Sequence, residues 1–187
     1  MQGLSTIIRK LKQCYVSSLK AAIVLMGIVA CLLFVNTFIL KIVVVNGSSM
    51  FPTFENGQMV LIKPKEKDIY YGDIVVFNAK NVSDTQEFWI KRVIGIGGDT
   101  VEINYEENIV TVNGELLNEP YINQEDDDPM REMTDTRTET YIIPDGSFFV
   151  MGDNRNHSTD SRCQEIGTIP SEWIIGKVIS VSYQKQN

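Results

Sequence analysis

Asn46-Gly47-Ser48-Ser49-Met50-Phe51-Pro52-Thr53-Phe54 follows a long apolar span and a short β-branched run. The glycine and the proline predict a bend, and the bend presents several hydroxyl groups. A serine on such a turn is a candidate nucleophile when another side chain can take its proton. A polar turn that only caps a strand has the same composition, so the rest of the chain has to distinguish the two.

The apolar span covers residues 21–40, which carry no charge and lie between Lys20 and Lys41. As a helix, these residues would extend over roughly 30 Å, the hydrocarbon thickness of a bilayer. The span is apolar on all sides, which disfavours a core helix. A cleavable signal peptide is the alternative, but the stretch exceeds the usual apolar region and no small-x-small site precedes Lys41. The sequence therefore predicts a retained transmembrane helix.

The charges on the two sides of this span differ. Residues 1–20 contain four basic residues and no acid. The positive-inside rule therefore predicts a cytoplasmic N-terminus and an extracytoplasmic domain at residues 41–187, held at the cytoplasmic membrane with the lipid bilayer as a partner. Residues 42–187 contain all 24 acids and 12 of the 17 basic residues, a net charge of −12. Because this part has no basic stripe, nucleic acid is not an expected partner.

Cysteine and histidine usage argues against a metal centre. Of the three cysteines, Cys163 is the only one beyond the span, so no disulfide can form within the outer domain. One histidine and no paired-cysteine spacing make a zinc site unexpected. We therefore expect no metal and no cofactor.

The outer part has the pattern of short β-strands separated by turn residues. A two-residue turn at Asn113-Gly114 predicts a hairpin. Residues 123–140 are acidic without an apolar period, which indicates an exposed loop. We therefore predict a mostly β, antiparallel domain with strands at 42–45, 59–62, 74–77, 88–96, 108–112, 115–117, 148–151 and 173–183.

Two side chains are candidate bases for the serine. His157, the only histidine, lies in a polar segment with several acids, where a Ser–His–Asp arrangement is conceivable. Lys91 lies in an apolar run, and burial would lower its pKa from about 10.4 by as much as 3–5 units. Because Lys91 and Arg92 point to opposite faces of a strand, the pattern alone leaves open which of them faces solvent.

Four segments begin at Gly47, Gly72, Lys91 and Gly152. They resemble the sequence boxes of the type I signal peptidases. Their order, behind a single membrane anchor, is that of the Gram-positive members of this family. The resemblance extends over most of residues 20–183. It implies an antiparallel β-sheet catalytic domain, a fold shared with self-cleaving repressor peptidases. It also implies a membrane-anchored serine endopeptidase that removes signal peptides from exported preproteins after small residues at the first and third positions before the cut. The protein export channel is a further implied partner.

The resemblance assigns roles residue by residue. Ser49 matches the nucleophile and Lys91 the general base, acting through an acyl-enzyme. Ser158 matches a hydroxyl that orients the lysine amine, and Asp160 and Arg162 match a supporting ion pair. The same structural segment contains Asp153 and Arg155.

The oxyanion hole differs from that of some relatives, which place a serine at the position of Gly47. The hole is therefore expected to rest on the Ser49 backbone N–H, with help from the Gly47 backbone or the Ser48 hydroxyl. Substrate is expected as an extended strand along the serine turn and the Gly72–Phe77 segment, by β-augmentation. The residues assigned to substrate binding are Met50, Pro52, Ile74, Val75, Val76 and Phe77.

Three other functions are considered. A self-cleaving repressor peptidase would carry a DNA-binding domain in place of the membrane span. A non-catalytic homologue that acts as a chaperone in surface-fibre (pilus) assembly would lack the serine or the lysine, and both are present. A β-rich ectodomain with a binding role is the third.

Overall fold

The computed structural model describes residues 2–34, 40–83, 87–122, 130–131 and 137–182. The chain divides into two compact units, Met1–Leu40 and Lys41–Asn187.

The first unit is one helix, α1, from Gln2 to Phe34. Its stretch Arg9–Phe34 contains an 18-residue window with a mean hydropathy of 2.3, and by length and composition it can cross a membrane, a test that a signal sequence also passes. The helix begins earlier than the predicted span at 21–40, because it also includes the basic N-terminal residues. Residues 35–39 lie outside the described part.

In its described residues, the second unit is built from β-strands and two short 3-10 turns. The described strands are β1 (Lys41–Val44), β2 (Met59–Pro64), β3 (Ile74–Asn78), β4 (Phe88–Ile96), β5 (Thr100–Asn104), β6 (Ile109–Val112), β7 (Glu115–Leu116), β8 (Thr138–Ile142), β9 (Ser147–Met151), β10 (Ile169–Pro170) and β11 (Ile174–Ser182).

These strands form two antiparallel sheets. The described part of the larger sheet has seven strands in the order β1-β2-β11-β3-β4-β9-β10, and the smaller has four in the order β7-β6-β5-β8. The predicted class, a mostly β antiparallel domain, is confirmed.

Most predicted strands occur where the pattern placed them. The prediction at 88–96 coincides with β4, and the hairpin at Asn113-Gly114 joins β6 to β7. Both turn residues have positive φ, 53° and 82°, as a two-residue hairpin turn requires. The other predicted strands differ by one or two residues at their ends.

Three strands were not predicted: β5, β8 and β10. The predicted acidic loop at 123–140 was too long, because residues 138–140 belong to β8 and pair with β5. Residues 123–129 and 132–136 of that loop lie outside the described part.

Candidate active site

Ser49 lies on the loop that joins β1 to β2. The loop is closed at its base by the Val45 N–H, which donates to the Gln58 carbonyl at 2.8 Å. Two residues before Ser49, Gly47 has φ +97°, a left-handed conformation that favours glycine. The Gly47 N–H donates to Asn56 Oδ1 at 2.8 Å. The loop is therefore pinned on both sides of the serine turn.

The outer side of the loop is attached to the segment that follows β9. The Asn154 N–H donates to the Ser49 carbonyl at 3.0 Å, and Asn154 Nδ2 donates to the Ser48 carbonyl at 3.2 Å. Gly152 makes this approach possible, because a Cβ at that position would collide with the Ser49 carbonyl oxygen and with Ser158 Oγ. The hydroxyl of Thr53 donates to Asp153.

Lys91 reaches Ser49 from the middle of β4. Its Nζ lies 2.8 Å from Ser49 Oγ and 3.2 Å from the Ile90 carbonyl oxygen. Lys91 is 4% exposed. The aromatic ring of Trp89 lies 5.5 Å from Nζ.

Burial lowers the pKa of Lys91 to about 8, because an ammonium loses hydration in this position. The carboxylates of Asp160 and Asp153 act in the opposite direction, and the guanidinium of Arg162 adds to the lowering. A substantial fraction of Lys91 is therefore neutral slightly above neutral pH. A neutral amine within hydrogen-bond distance of a serine hydroxyl can act as its general base.

The question that the sequence left open between Lys91 and Arg92 has an unexpected answer, because neither side chain faces solvent. The Arg92 side chain is 11% exposed and forms an ion pair with Asp153, with Nη2 at 2.6 Å from Oδ2. Arg92 also donates to the Gly72 carbonyl at 2.9 Å and stacks on Tyr121, with Cζ 3.9 Å from the ring centroid. The two side chains lie on opposite faces of β4. Lys91 contacts Ser49, and Arg92 contacts Asp153 and Tyr121.

Behind the lysine, Asp160 and Arg162 form a fully buried ion pair. Arg162 Nε donates to Asp160 Oδ1 at 2.8 Å and Nη2 donates to Oδ2 at 2.9 Å. Burial by itself would raise the pKa of the Asp160 carboxyl. The Arg162 charge and hydrogen bonds from Arg162, the Gly152 N–H and Ser158 outweigh it and hold this pKa below its ordinary value.

Ser158 is close to the catalytic pair but has a different partner from the one implied by the resemblance. Its Oγ donates to Asp160 Oδ2 at 2.7 Å. Within the described residues, Lys91 Nζ has hydrogen bonds to Ser49 and Ile90, and none to Ser158. Orientation of the lysine amine by Ser158 stays a prediction.

Arg155 contributes a second buried ion pair, with Glu119. Glu119 also accepts a hydrogen bond from the Tyr121 hydroxyl at 3.0 Å. Sequence reasoning missed Glu119 and Tyr121, because their partners Arg155 and Arg92 are distant along the chain. It also missed Asn56, which accepts from Gly47 across the serine loop. For Arg92, the signal in the sequence was its position directly after Lys91.

A groove of about 700 Å³ runs from the Ser49–Lys91 pair between β1 and the first half of β4. β9 pairs with β4 from Arg92 onward, so residues 88–91 have no partner strand on that side within the part of the chain that the structure describes. The Val93 N–H donates to the Asp73 carbonyl at 2.8 Å on the β3 side. By strand alternation, the backbone groups of Phe88 and Ile90 face the groove.

The opposite wall is also an open strand edge. β1 is the edge strand of its sheet, and Val45 exchanges hydrogen bonds with residues 57 and 58 on the β2 side. The backbone groups of Ile42 and Val44 therefore face away from β2. Two open edges border one groove, an arrangement that can accept an extended peptide.

The prediction that placed a substrate strand beside β3 is wrong. β3 pairs with β11 on one side and with β4 on the other, so it has no free backbone edge. Of the six residues assigned to substrate binding, Val76 is the one that lines the groove in the described part of the chain. Met50, Val75 and Phe77 are core residues. Pro52 is an exposed residue of the loop and Ile74 is partly covered.

The predicted oxyanion donors are only partly available. The Gly47 N–H already donates to Asn56 Oδ1, so it is not free to bind an oxyanion in this conformation. Ser48 and Ser49 both line the groove. The Ser49 N–H and the Ser48 hydroxyl are the predicted donors that stay open.

His157 is exposed and lines the same groove. The hydroxyl of Ser49 nevertheless has Lys91 as its partner, so the lysine and not the histidine occupies the position of a base.

Comparisons with known proteins identify the family of the chain. The sequence profile of the family described as "Signal peptidase, peptidase S26" matches residues 16–183. The chain is 34% identical over 157 residues to signal peptidase I S of Bacillus subtilis strain 168, with 81% of each chain covered. It is 34% identical over 160 residues to signal peptidase IB of Staphylococcus aureus strain Mu50, with 79% of this chain and 80% of the relative covered.

A crystal structure of a signal peptidase I from Enterococcus faecalis V583 has 27% sequence identity and a TM-score of 0.44, covering 61% of this chain and 98% of that one. The family match at residues 16–183 includes the residues of the site, and the two relatives extend over most of the chain. The chain belongs to the signal peptidase family, peptidase S26, and is a serine endopeptidase.

Proposed function

We propose that this chain is a membrane-anchored endopeptidase that removes N-terminal signal peptides from exported preproteins with a Ser49–Lys91 dyad. The observation that carries the proposal is the 2.8 Å distance between Lys91 Nζ and Ser49 Oγ. Its chemical support is the lowered pKa of Lys91, about 8. A buried amine that is neutral at working pH can activate a serine without a histidine.

In the first half of the reaction, Lys91 Nζ takes the proton of Ser49 Oγ while the oxygen attacks the scissile carbonyl carbon. The tetrahedral oxyanion accepts a hydrogen bond from the Ser49 N–H, with the Ser48 hydroxyl as the second candidate donor. The C–N bond then breaks, and the Lys91 ammonium gives its proton to the leaving amine of the mature protein. The leader peptide stays on Ser49 as an ester.

In the second half, neutral Lys91 takes a proton from water, and the resulting hydroxide attacks the ester carbon. When the C–Oγ bond breaks, Ser49 recovers its proton from Lys91 and the leader peptide leaves with a new carboxylate. Asp160, held by Arg162, and Asp153, held by Arg92, are acids near the amine that stabilise its protonated form between these steps. The cycle therefore begins and ends with neutral Lys91.

The leader peptide is proposed to lie as an extended strand in the groove between β1 and β4. The backbone groups of Ile42, Val44 and Phe88 and the Ile90 N–H are available for ladder hydrogen bonds, whereas the Ile90 carbonyl already accepts from Lys91 Nζ. Val76 lines the floor beside them, together with Ile175. Apolar walls next to Ser49 agree with a preference for small uncharged side chains near the cut.

The remaining parts of the proposal concern location. α1 is proposed as a retained anchor in the cytoplasmic membrane, with the basic N-terminal residues in the cytoplasm and residues 41–187 outside. The lipid bilayer is then a direct partner, and the export channel is the source of the preproteins. A role as a non-catalytic chaperone in pilus assembly gains no support, since the relatives are named signal peptidases and both dyad residues are in contact.

The proposal is tested with the full-length protein in detergent micelles and a preprotein whose leader ends in Ala-x-Ala. We expect Ser49→Ala to abolish cleavage. The matched control is Ser171→Ala, an exposed serine that does not line the groove, which should keep the wild-type rate. Cleavage by Ser49→Ala at the wild-type rate would exclude Ser49 as the nucleophile.

A further inference from the structure

The groove has a defined end opposite Ser49, formed by Lys41 and Phe88. Lys41 belongs to β1 and Phe88 to β4, strands that are separated in the sheet by β2, β11 and β3. The two side chains nevertheless meet, with Lys41 Nζ 5.4 Å from the centroid of the Phe88 ring. Both residues line the groove. The contact therefore joins its two walls.

The position of this contact sets a length for the bound peptide. Phe88 precedes Lys91 by three residues along β4, which is roughly 10 Å at a rise of about 3.3 Å per residue. A strand that pairs with this edge has the same rise. If its scissile carbonyl lies at Ser49, then the residue about four positions before the cut lies beside Lys41 and Phe88.

Among the described residues that form this end of the groove, the charge is positive overall. Glu87 also lines it, but Lys80 neutralises Glu87 with an Nζ–Oε1 distance of 2.6 Å. Lys41 has the face of an aromatic ring as its neighbour, which attracts a cation without neutralising its charge. A peptide side chain placed here meets an ammonium group and an apolar ring.

We propose that Lys41 and Phe88 form an upstream specificity subsite, which selects against Lys or Arg about four residues before the scissile bond and favours an acidic or apolar side chain there. The subsite rests on the proposed function, since it assumes that the leader side of the substrate occupies the groove. Lys41 and Phe88 act on binding and not on the chemistry at Ser49.

A charge exchange tests the subsite in the full-length protein. Preproteins that end in Ala-x-Ala carry Glu, Gln or Lys at the fourth residue before the cut, and a second set carries the same residues at the second position after it. For the upstream set, we expect the wild-type kcat/KM to be about two- to fivefold higher with Glu than with Lys, the size typical of one exposed charge pair. Lys41→Glu should reverse this order, and high salt should reduce the preference in both proteins.

Lys63→Glu is the matched control, because Lys63 is an exposed lysine of β2 that does not line the groove. It should keep the wild-type order. The same order in Lys41→Glu as in wild type would overturn the subsite. A response confined to the downstream set would show that the mature side occupies the groove, which also overturns it. Loss of the proposed function itself would appear differently, as wild-type protein that cleaves neither set.

Discussion

Lys91 Nζ lies 2.8 Å from Ser49 Oγ, although 42 positions separate the two residues in the chain. The contact depends on two elements that are built independently. β4 carries the lysine through the interior of the sheet, and the loop after β1 is held over it by residues 152–154 and by Asn56. Substitutions that remove these contacts should displace Ser49 from Lys91.

Gly152 is expected to be required for the position of the nucleophile. Gly152→Ala would force a Cβ against the Ser49 carbonyl oxygen and Ser158 Oγ, so the loop has to move away from Lys91. We expect kcat/KM to fall by about a hundredfold or more, since displacement of a reacting group by about 1 Å has that cost. Steady-state kinetics on a model preprotein measure the effect.

Gly97→Ala is the control for this substitution. A Cβ at Gly97 would meet Asp145 Cα at 2.9 Å and the Pro144 carbonyl oxygen at 3.0 Å. Gly97 lies in the turn between β4 and β5, and these contacts do not involve the serine loop. It should lower the melting temperature but leave kcat/KM within about threefold, as for a packing defect of about 1–3 kcal/mol. Equal losses of activity in both variants would contradict a specific role for Gly152.

Asn56 is expected to act as a positioning residue for the serine loop. Asn56→Ala removes the acceptor of the Gly47 N–H, and we expect kcat to fall about tenfold or more with little change in KM, because the nucleophile loses its register with Lys91. Asn56→Asp keeps an acceptor oxygen and should restore most of kcat.

Asn113 offers a control for Asn56 away from the site. Its Oδ1 accepts the Thr100 N–H at 2.9 Å in the smaller sheet, and its Nδ2 donates to Asp99 Oδ1 at 2.8 Å. Asn56→Ala should lose about 0.5–1.5 kcal/mol of unfolding free energy. Asn113→Ala should lose more, because it removes two hydrogen bonds and places alanine at φ 53°, but it should keep the wild-type kcat. An unchanged kcat in Asn56→Ala would show that the loop keeps its position without this bond.

The ion pair of Asp160 and Arg162 should make stability depend on pH. The folded-state pKa of Asp160 lies below its ordinary value, so its contribution is present above the unfolded pKa of about 3.9 and is lost as the pH falls through the folded value. We expect Asp160→Asn to lose about 3–5 kcal/mol at pH 7, because the buried charge of Arg162 is left without its carboxylate partner.

Urea unfolding followed by tryptophan fluorescence can measure this difference. The gap between wild type and Asp160→Asn should narrow when the pH is lowered below about 4. Ser158→Ala is the comparison variant, since it removes one hydrogen bond to Asp160 and keeps the ion pair. A gap of the same size at pH 7 and pH 3 would argue against an ionised Asp160 as its source.

His157 is expected to be dispensable for the chemical step. It lines the groove, but Ser49 Oγ has Lys91 as its partner. His157→Ala should change kcat by less than about threefold, since general bases typically contribute a hundredfold or more. A thousandfold loss of kcat would instead favour a histidine-based triad.

Particular residues show how far the sequence could predict this fold. The boundaries of β4 were predictable, because a strand-like run of nine residues, mostly apolar apart from Lys91 and Arg92, ends at Gly97-Gly98. β8 was missed because its residues are polar and partly exposed, and it becomes a strand through pairing with the distant β5. β10 has two residues, one of them a proline, and no local pattern can predict it.

The site shows the same division. Ser49 and Lys91 were predicted because each lies in a distinctive local segment. The direction of the Arg92 side chain was not predicted, because the residues that cover it, Asp153 and Tyr121, are distant along the chain. The substrate edge was assigned to β3 because its residues are apolar. Sheet order, which places β3 between two strands and leaves β1 and half of β4 open, is a non-local property.

The pH dependence of kcat/KM tests the dyad most directly. The account requires neutral Lys91, whose pKa burial lowers to about 8, so kcat/KM should rise with pH, with an apparent pKa of about 8, and level off above it. Lys91→Ala should show no such rising limb and little residual activity. A wild-type profile that rises with an apparent pKa near 10, or that is unchanged in Lys91→Ala, would contradict a buried lysine as the general base.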